Sequence, residues 1–315
     1  MLQPVKSGRA LLEEIDRTIA VTPTLWWLGH AGFVLRFANI TFYIDPCLSD
    51  PPGRQRRMEA PLYPGEIRHA DMLFATHGHA GHLDAAAVAA MLASSKTAKL
   101  ALPKAAVERA HAAGIPYNRM TSTDAGLRIE YFKDNLYGRV YSVPSAHPEL
   151  DWTPADGYPY LGYLIRFGRW TVYHAGDCSP YPDLAARLRP FTPAVLLLPI
   201  GPGKFSPSQA ADLAAEAGAE WVVPMHYGTF FETSRTTDPA GPVRDAGFET
   251  SRTTDPGGPA RDDGFETSRT TEQGGPARDD EVDRESEFVA HMLGHRPAQR
   301  FHICRVGEKW VVPEE

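Results

Sequence analysis

Three histidines crowd into one short segment, Thr76-His77-Gly78-His79-Ala80-Gly81-His82-Leu83-Asp84, directly after the apolar run Met72–Ala75. Neutral imidazole is the commonest side-chain metal ligand, and a turn that leaves a strand for a helix aims several side chains at one point. His77 and His79 are two apart in an extended stretch, so both face the same side, while Gly78 permits a close turn. Solvated loop histidines are the ordinary alternative, but this spacing after a strand points to a metal. More ligand-type side chains follow at the ends of other apolar runs. They are His147 in Pro144-Ser145-Ala146-His147, Asp177 in His174-Ala175-Gly176-Asp177, and His226 in Pro224-Met225-His226-Tyr227. Each alone reads as a loop residue. Together they form a set of strand-end His and Asp residues that can converge on one edge of a sheet structure.

The elements that carry these residues follow from hydrophobic periodicity. Leu25–Leu28, Phe33–Phe37 and Ile40–Ile44 read as strands, with Ala38-Asn39 as a tight hairpin, and Met72–Ala75 as a short buried strand. Leu83–Ser94 is an Ala-rich helix; the strand Lys99–Leu102 leads to a helix from Lys104 to Ala113. The strands Leu127–Phe132, Arg139–Val143, Tyr160–Phe167 and Trp170–His174 precede a helix near Asp183–Leu188. Val195–Pro199 and Trp221–Pro224 are strands on either side of a helix Ser208–Ala217, entered through Ser206-Pro207. Ser286–Leu293 is expected to be helical, and Phe301–Arg305 and Lys309–Val312 to close as a hairpin. Two β-rich halves, each with helices, predict an α/β fold of two mixed sheets packed face to face with helices outside, an αββα sandwich.

Composition bounds the function. The chain has 315 residues, 43% hydrophobic and 23% charged, which excludes wholesale disorder. A net charge of −7 leaves no basic footprint for nucleic acid. Cys47, Cys178 and Cys304 are too few and too scattered for a disulfide framework. Met1 to Ile19 lacks the apolar core of a secretory signal, and no stretch approaches a membrane span. A soluble, cytoplasmic protein is expected. Residues 231–281 hold three tandem units of 17 residues that begin at Phe231, Phe248 and Phe265 and carry −6 of the −7 charge. With one large apolar residue per unit, such a segment buries too little surface to offset its ordering entropy. It is read as a mobile acidic insertion in a single domain made of residues 1–230 and 282–315.

With those residues in view, the sequence resembles the metallo-β-lactamase superfamily. Its signature, His-x-His-x-Asp-His followed by a distant His, a bridging Asp and a last His, corresponds to His77, His79 and His82, then His147, Asp177 and His226. Finer features are similar to the branch that contains ascorbate-6-phosphate lactonase and N-acyl-phosphatidylethanolamine phospholipase D. These are Trp27-Leu28-Gly29-His30-Ala31-Gly32, Ile44-Asp45-Pro46, His82-Leu83-Asp84, Leu198-Pro199-Ile200-Gly201 and Pro224-Met225-His226-Tyr227-Gly228-Thr229-Phe230. The resemblance implies that His77, His79 and His147 hold a first divalent ion and that Asp177 bridges to a second, with His82 and His226. Zinc or manganese is the implied metal, one or two ions per chain.

One position departs from the pattern: Gly81 stands where the signature has Asp. Gly81 supplies no oxygen, so the second ion is expected to keep two imidazoles and a shared carboxylate, and to bind more weakly. Cys178 is expected to pack as a small hydrophobe rather than replace the lost ligand. The implied activity is that of a metal-dependent hydrolase, a metal-bound hydroxide attacking an ester, lactone or phosphodiester. Catalytic roles fall to Asp177, His226 and His174, with His174, Asp45 and Asp84 as partners that fix imidazole tautomers; Asp84 also reads as an ordinary helix cap. Arg54, Arg56 and Arg57 suit an anionic small-molecule substrate or form a solvated loop, and Trp152, Tyr158 and Tyr160 line a pocket or pack under a loop. Lys204 precedes a helix where backbone N–H groups favour anions. A metal-binding but weakly active relative, with a ligand-binding or scaffolding role, stays open beside the enzyme.

Overall fold

The computed structural model describes residues 1–51, 54–231, 280–296 and 298–314. The tandem repeats lie outside the described residues except for Phe231 and residues 280–281. The chain begins with helix α1 (Gly8–Arg17) and then lays down β1 (Thr24–Gly29), β2 (Gly32–Phe37), β3 (Ile40–Ile44) and β4 (Met72–Phe74). Helix α2 (Ala85–Ser94), β5 (Lys99–Pro103), α3 (Val107–Ala112) and β6 (Met120–Thr123) follow. A second group holds β7 (Arg128–Lys133), β8 (Leu136–Pro144), β9 (Leu161–Phe167), β10 (Trp170–His174), α4 (Leu184–Leu188), β11 (Val195–Pro199), α5 (Pro207–Ala217) and β12 (Trp221–Met225). Helix α6 (Asp280–His295), β13 (Arg300–Phe301) and β14 (Lys309–Val311) complete the described chain.

The strands form two sheets of seven, ordered β14-β1-β2-β3-β4-β5-β6 and β13-β12-β11-β10-β9-β8-β7. Alternation along β1 shows how the layers are specified. Leu25 and Trp27 face the space between the sheets, while Trp26 and Leu28 join a separate cluster with Leu11, Ile15, Val88 and Met91 from the helices. That period of two divides one strand between two apolar layers. Across the central layer Phe42 meets Phe167 and Phe74 meets Tyr163, with ring centroids 5.5 and 5.2 Å apart. Helix α5 is set by its ends: Ser206 and Gln209 form a reciprocal capping box, Pro207 occupies the first turn, and Gly218 terminates it at φ 72°. The architecture is the predicted αββα sandwich. Among the described residues no helix is long and apolar enough to cross a membrane.

The C-terminal hairpin is not formed. Arg300–Phe301 pairs in parallel with β12 in one sheet, whereas Lys309–Val311 pairs antiparallel with β1 in the other. Each sheet had an open backbone edge, and the two short segments satisfy one edge apiece. Trp310, 5.6 Å from Trp221 and stacked on His302 at 4.5 Å, packs across the end of the sandwich between them. Local alternation is the same for either pairing, so it could not choose. Strand β6, Met-Thr-Ser-Thr, has no apolar pattern and is a strand because β5 offers it a parallel edge.

Strand direction then defines one functional edge. β1 and β3 run the same way, since each is antiparallel to β2, and β4 is parallel to β3. In the second sheet β10, β11 and β12 are parallel, and β8 shares their direction through antiparallel β9. The carboxyl ends of these strands therefore emerge together, where open sheets commonly place ligands.

Candidate metal centre

Each chemistry-bearing side chain occupies one of those carboxyl ends. His30 follows β1, Asp45 follows β3, His77, His79 and His82 lie in the loop after β4, His147 follows β8, Asp177 follows β10, Lys204 follows β11 and His226 follows β12. The structure brings together all six ligand residues expected from sequence. Nε2 of His77 lies 3.0 Å from Nδ1 of His79, and the His79 and His147 rings are 5.1 Å apart. Asp177 sits between the imidazoles: Oδ2 is 2.7 Å from Nε2 of His147, and Oδ1 is 3.1 Å from Nε2 of His226. Among the described residues, three groups have ligand atoms within 4.8 Å of one another: His77, His79 and His147; His77, His82 and Asp177; and His30, His82 and His226.

Buried polar partners orient the rings. Asp45, fully buried, accepts from the Thr76 backbone N–H and hydroxyl and from Nδ1 of His82, each at 2.7 Å. The bond to His82 puts its proton on Nδ1 and leaves Nε2 with a free lone pair. Because the Thr76 hydroxyl gives its proton to Asp45, its oxygen accepts from Nδ1 of His77 at 3.1 Å, so Nε2 of His77 is likewise a lone pair. Such outer partners select the ligating nitrogen. Asp84 does not share this task. It caps α2 through the Ala87 N–H and receives the Leu48 and Ser49 N–H groups and the Ser49 hydroxyl, which fully occupies it with backbone anchoring.

His174 is held apart from the ligand groups. Its Nε2 donates to the Ala31 carbonyl at 2.8 Å and its Nδ1 accepts from the Gly176 N–H at 3.1 Å. Both nitrogens are spent on backbone, so His174 ties the turn after β1 to the loop that carries Asp177. Cys178 is buried in the core with its thiol donating to the Ser179 carbonyl, and burial pushes that thiol up to about 11. Arg56 is buried too, bound to the Cys47 and Ser49 carbonyls and to Asp50. Of the three arginines Arg54 reaches the centre, with Nη1 3.3 Å from Nε2 of His30. Among the aromatics Tyr160 stacks on His147 at 4.7 Å, Tyr158 packs against the core, and Trp152 is exposed.

Electrostatics favour neutral imidazoles around one anion. Burial, reinforced by neighbouring charge, holds His77, His82 and His30 well below the ordinary histidine range, and burial takes His226 down to about 4. Burial works against ionising Asp177, yet His226, the bond from His147 and Lys204 together outweigh it and hold that carboxyl well below its usual range. Lys204 Nζ lies 2.7 Å from Asp177 Oδ1 and donates to the Asp177 carbonyl at 3.0 Å. Sequence had placed Lys204 near a helix end without connecting it to Asp177. Among the described side chains of this centre, two buried atoms have no hydrogen bond: Asp177 Oδ1, whose neighbours are not aligned as donors, and Nδ1 of His30. Buried polar atoms are normally satisfied, so these orphans and the converging lone pairs fit a cation.

His30 had appeared in sequence only as part of the Trp27-to-Gly32 motif, without a role. The signal that could have found it is its place after β1, a strand running with β3. Gly29 before it has φ 92°, and a Cβ there would lie 2.9 Å from Thr229 Oγ1. Glycine therefore lets the turn close on Thr229, which accepts the His30 N–H at 2.6 Å.

Comparisons with known proteins agree with this geometry. Residues 41–227 match the family model described as Beta-lactamase superfamily domain. A UPF0173 metal-dependent hydrolase of Myxococcus xanthus is 34% identical over 216 residues, covering 66% of this chain and 71% of that protein. Another, from Caldivirga maquilingensis, is 30% identical over 208 residues, covering 65% and 82%. In fold, the chain is similar to Igni18, a metallo hydrolase from Ignicoccus hospitalis, with a TM-score of 0.58, 20% identity and coverage of 93% and 100%. An isothiocyanate hydrolase from Delia radicum gut bacteria gives a TM-score of 0.59 at 14% identity, with coverage of 92% and 100%. By sequence and by fold the chain belongs to the metallo-β-lactamase superfamily, together with the UPF0173 metal-dependent hydrolases.

Proposed function

We propose that this protein is a metal-dependent hydrolase of lactonase or phosphodiesterase type, acting on a small anionic ester, lactone or phosphodiester. The observation that carries the reading is Asp177, an ionised buried carboxylate surrounded by imidazole nitrogens that converge. His77, His79 and His147 would hold one divalent ion, and Asp177, His82 and His226 a second, zinc or manganese by donor type. A bound ion supplies a water acidic enough to ionise near neutral pH and a Lewis acid for a carbonyl or phosphoryl oxygen.

The protein's own groups then have distinct tasks. Asp177 accepts a hydrogen bond from the attacking water at Oδ1, the oxygen without an aligned donor, and so orients it. Lys204, beside that oxygen, keeps Asp177 ionised and stabilises negative charge that develops during attack. Arg54, exposed at the mouth, binds an anionic group of the substrate through charge-assisted bonds. Tyr160 covers the His147 ring and excludes water from that side. His174 positions the turn that carries His30 rather than touching substrate. The finer likeness to lactonases and phospholipase D makes phosphorylated lactones and phosphodiesters the first substrates to try.

The test uses the purified full chain against a phosphodiester, a lactone and a carboxylic ester. Hydrolysis of at least one should vanish on chelation and return with zinc or manganese. His79→Ala should lower the restored rate by about 100-fold or more, since neighbours cannot replace a direct ligand. Hydrolysis indifferent to both chelation and the substitution would refute the reading.

A further inference from the structure

We propose that His30 takes the place of the carboxylate missing at Gly81, so that the second ion is held by three imidazoles, His30, His82 and His226, with Asp177 as the only anion. This deepens the reading above and rests on it. Three observations point to His30. Its ring lies 3.9 Å from that of His226 and 4.9 Å from that of His82, and one nitrogen of each falls within a 4.8 Å group. Its Nδ1 is buried without a partner, in a residue only 4% exposed. And a Cβ built on Gly81 would stand 3.1 Å from Cε1 and 3.6 Å from Nδ1 of His30. An aspartate at position 81 would therefore grow into the space that the imidazole fills. The two residues are alternatives for one ligand position.

The backbone holds His30 there at some cost. Its φ is 51°, a left-handed value uncommon for a residue with a side chain. The conformation persists because the N–H bonds Thr229, while the carbonyl accepts from Trp27 Nε1 and from the His226 N–H, both at 2.9 Å. The last bond joins two members of the group directly, through their main chains.

The exchange has chemical consequences. An imidazole in place of a carboxylate removes one negative charge from the ligand set, so the second ion binds more weakly than it would beside a carboxylate, and the Arg54 guanidinium next to His30 sets it below the first. The imidazole also shifts preference toward ions that favour nitrogen, zinc over manganese. Ligation through Nδ1 leaves the His30 proton on Nε2, which faces Arg54 Nη1 at 3.3 Å. Two donors then oppose each other, and the guanidinium also repels the ion. Arg54 is exposed, so its side chain can withdraw.

Calorimetric titration of the metal-stripped full chain with zinc, together with zinc per chain after desalting, tests the proposal. The parent should show two steps, the second at least tenfold weaker, and a second step weaker still with manganese. His30→Gly, whose backbone suits the positive φ, should lose the second step and keep the first; His79→Ala should do the reverse. Gly81→Asp alone should bring no gain, whereas the pair His30→Gly with Gly81→Asp should regain the second step. Arg54→Met should tighten the second step severalfold. A second step that survives in His30→Gly overturns the proposal. So does a parent with a single step, which would leave Arg54 and Lys204 as the positive charge at that position. A parent that binds no zinc at all would instead refute the metal-dependent reading itself.

Discussion

Asp177 separates two imidazole groups that are assembled by different means. His77 and His79 come from one loop and are joined by His147 alone from elsewhere, and two of the three are partly open to solvent. His30, His82 and His226 come from three separate strand ends, and His30 and His226 both sit at positive φ, 51° and 74°. The first group needs one loop conformation and one long-range contact. The second needs three long-range contacts and two strained residues. Buried Asp45 fixes the tautomer of His82, and the main chains of His30 and His226 are bonded to each other. A site made locally is visible as a motif and open to exchange with solvent; a site made by tertiary contacts is deeper and tolerates a changed ligand, because the fold supplies a replacement.

Substitutions can break the comparison at its shared point or sharpen it on one side. Asp177→Asn should have the largest effect, since it removes the only anion common to both groups. Loss of both ions from the desalted protein, and of hydrolysis by about 1,000-fold, is expected. Retention of either ion at parental affinity would show that the groups do not depend on Asp177.

Asp45→Asn should act on one side. It removes the carboxylate that receives Nδ1–H of His82, so metal affinity in the deeper group should fall by about 10- to 100-fold, the usual cost of losing an outer partner. The first group should be affected less, because Asp45 reaches His77 only through Thr76. Equal losses in both steps of a metal titration would contradict that asymmetry.

The smallest effect separates the site imidazoles from a half-buried one elsewhere. His69 bonds Tyr43 at 2.8 Å, and burial lowers its pKa from 6.5 to about 4. Between those values the unfolded chain binds more protons than the folded one, so this residue's contribution to stability is present above pH 6.5 and is lost as pH falls toward 4. His69→Gln should flatten that part of the profile of urea midpoint against pH while leaving both metal-binding steps unchanged. An unaltered slope would assign the acid sensitivity to other groups.

Much of the layered fold was legible in residue order, because burial on a strand or helix imposes a period that one chain segment displays by itself. Trp26 and Trp27 already point to opposite layers, and Ser206-Pro207 already announces α5. The pairing of the last two strands was not legible, since hydrogen-bonded edges belong to the assembled sheets. The six residues His77, His79, His82, His147, Asp177 and His226 were also readable, as ligand-type side chains at strand ends. His30 was not given a role, although it stands within 4.8 Å of two of them.

What the sequence by itself determined was the donor chemistry and the absence of a carboxylate at Gly81. Tertiary structure alone decided which atoms meet. Strand direction brings the turn after β1 onto the same edge as His82 and His226, and the lack of a side chain at Gly81 leaves the volume that the His30 ring occupies. Charge and donor type are properties of single residues, whereas convergence depends on contacts between segments up to 199 positions apart, as in the bond from His30 to Thr229.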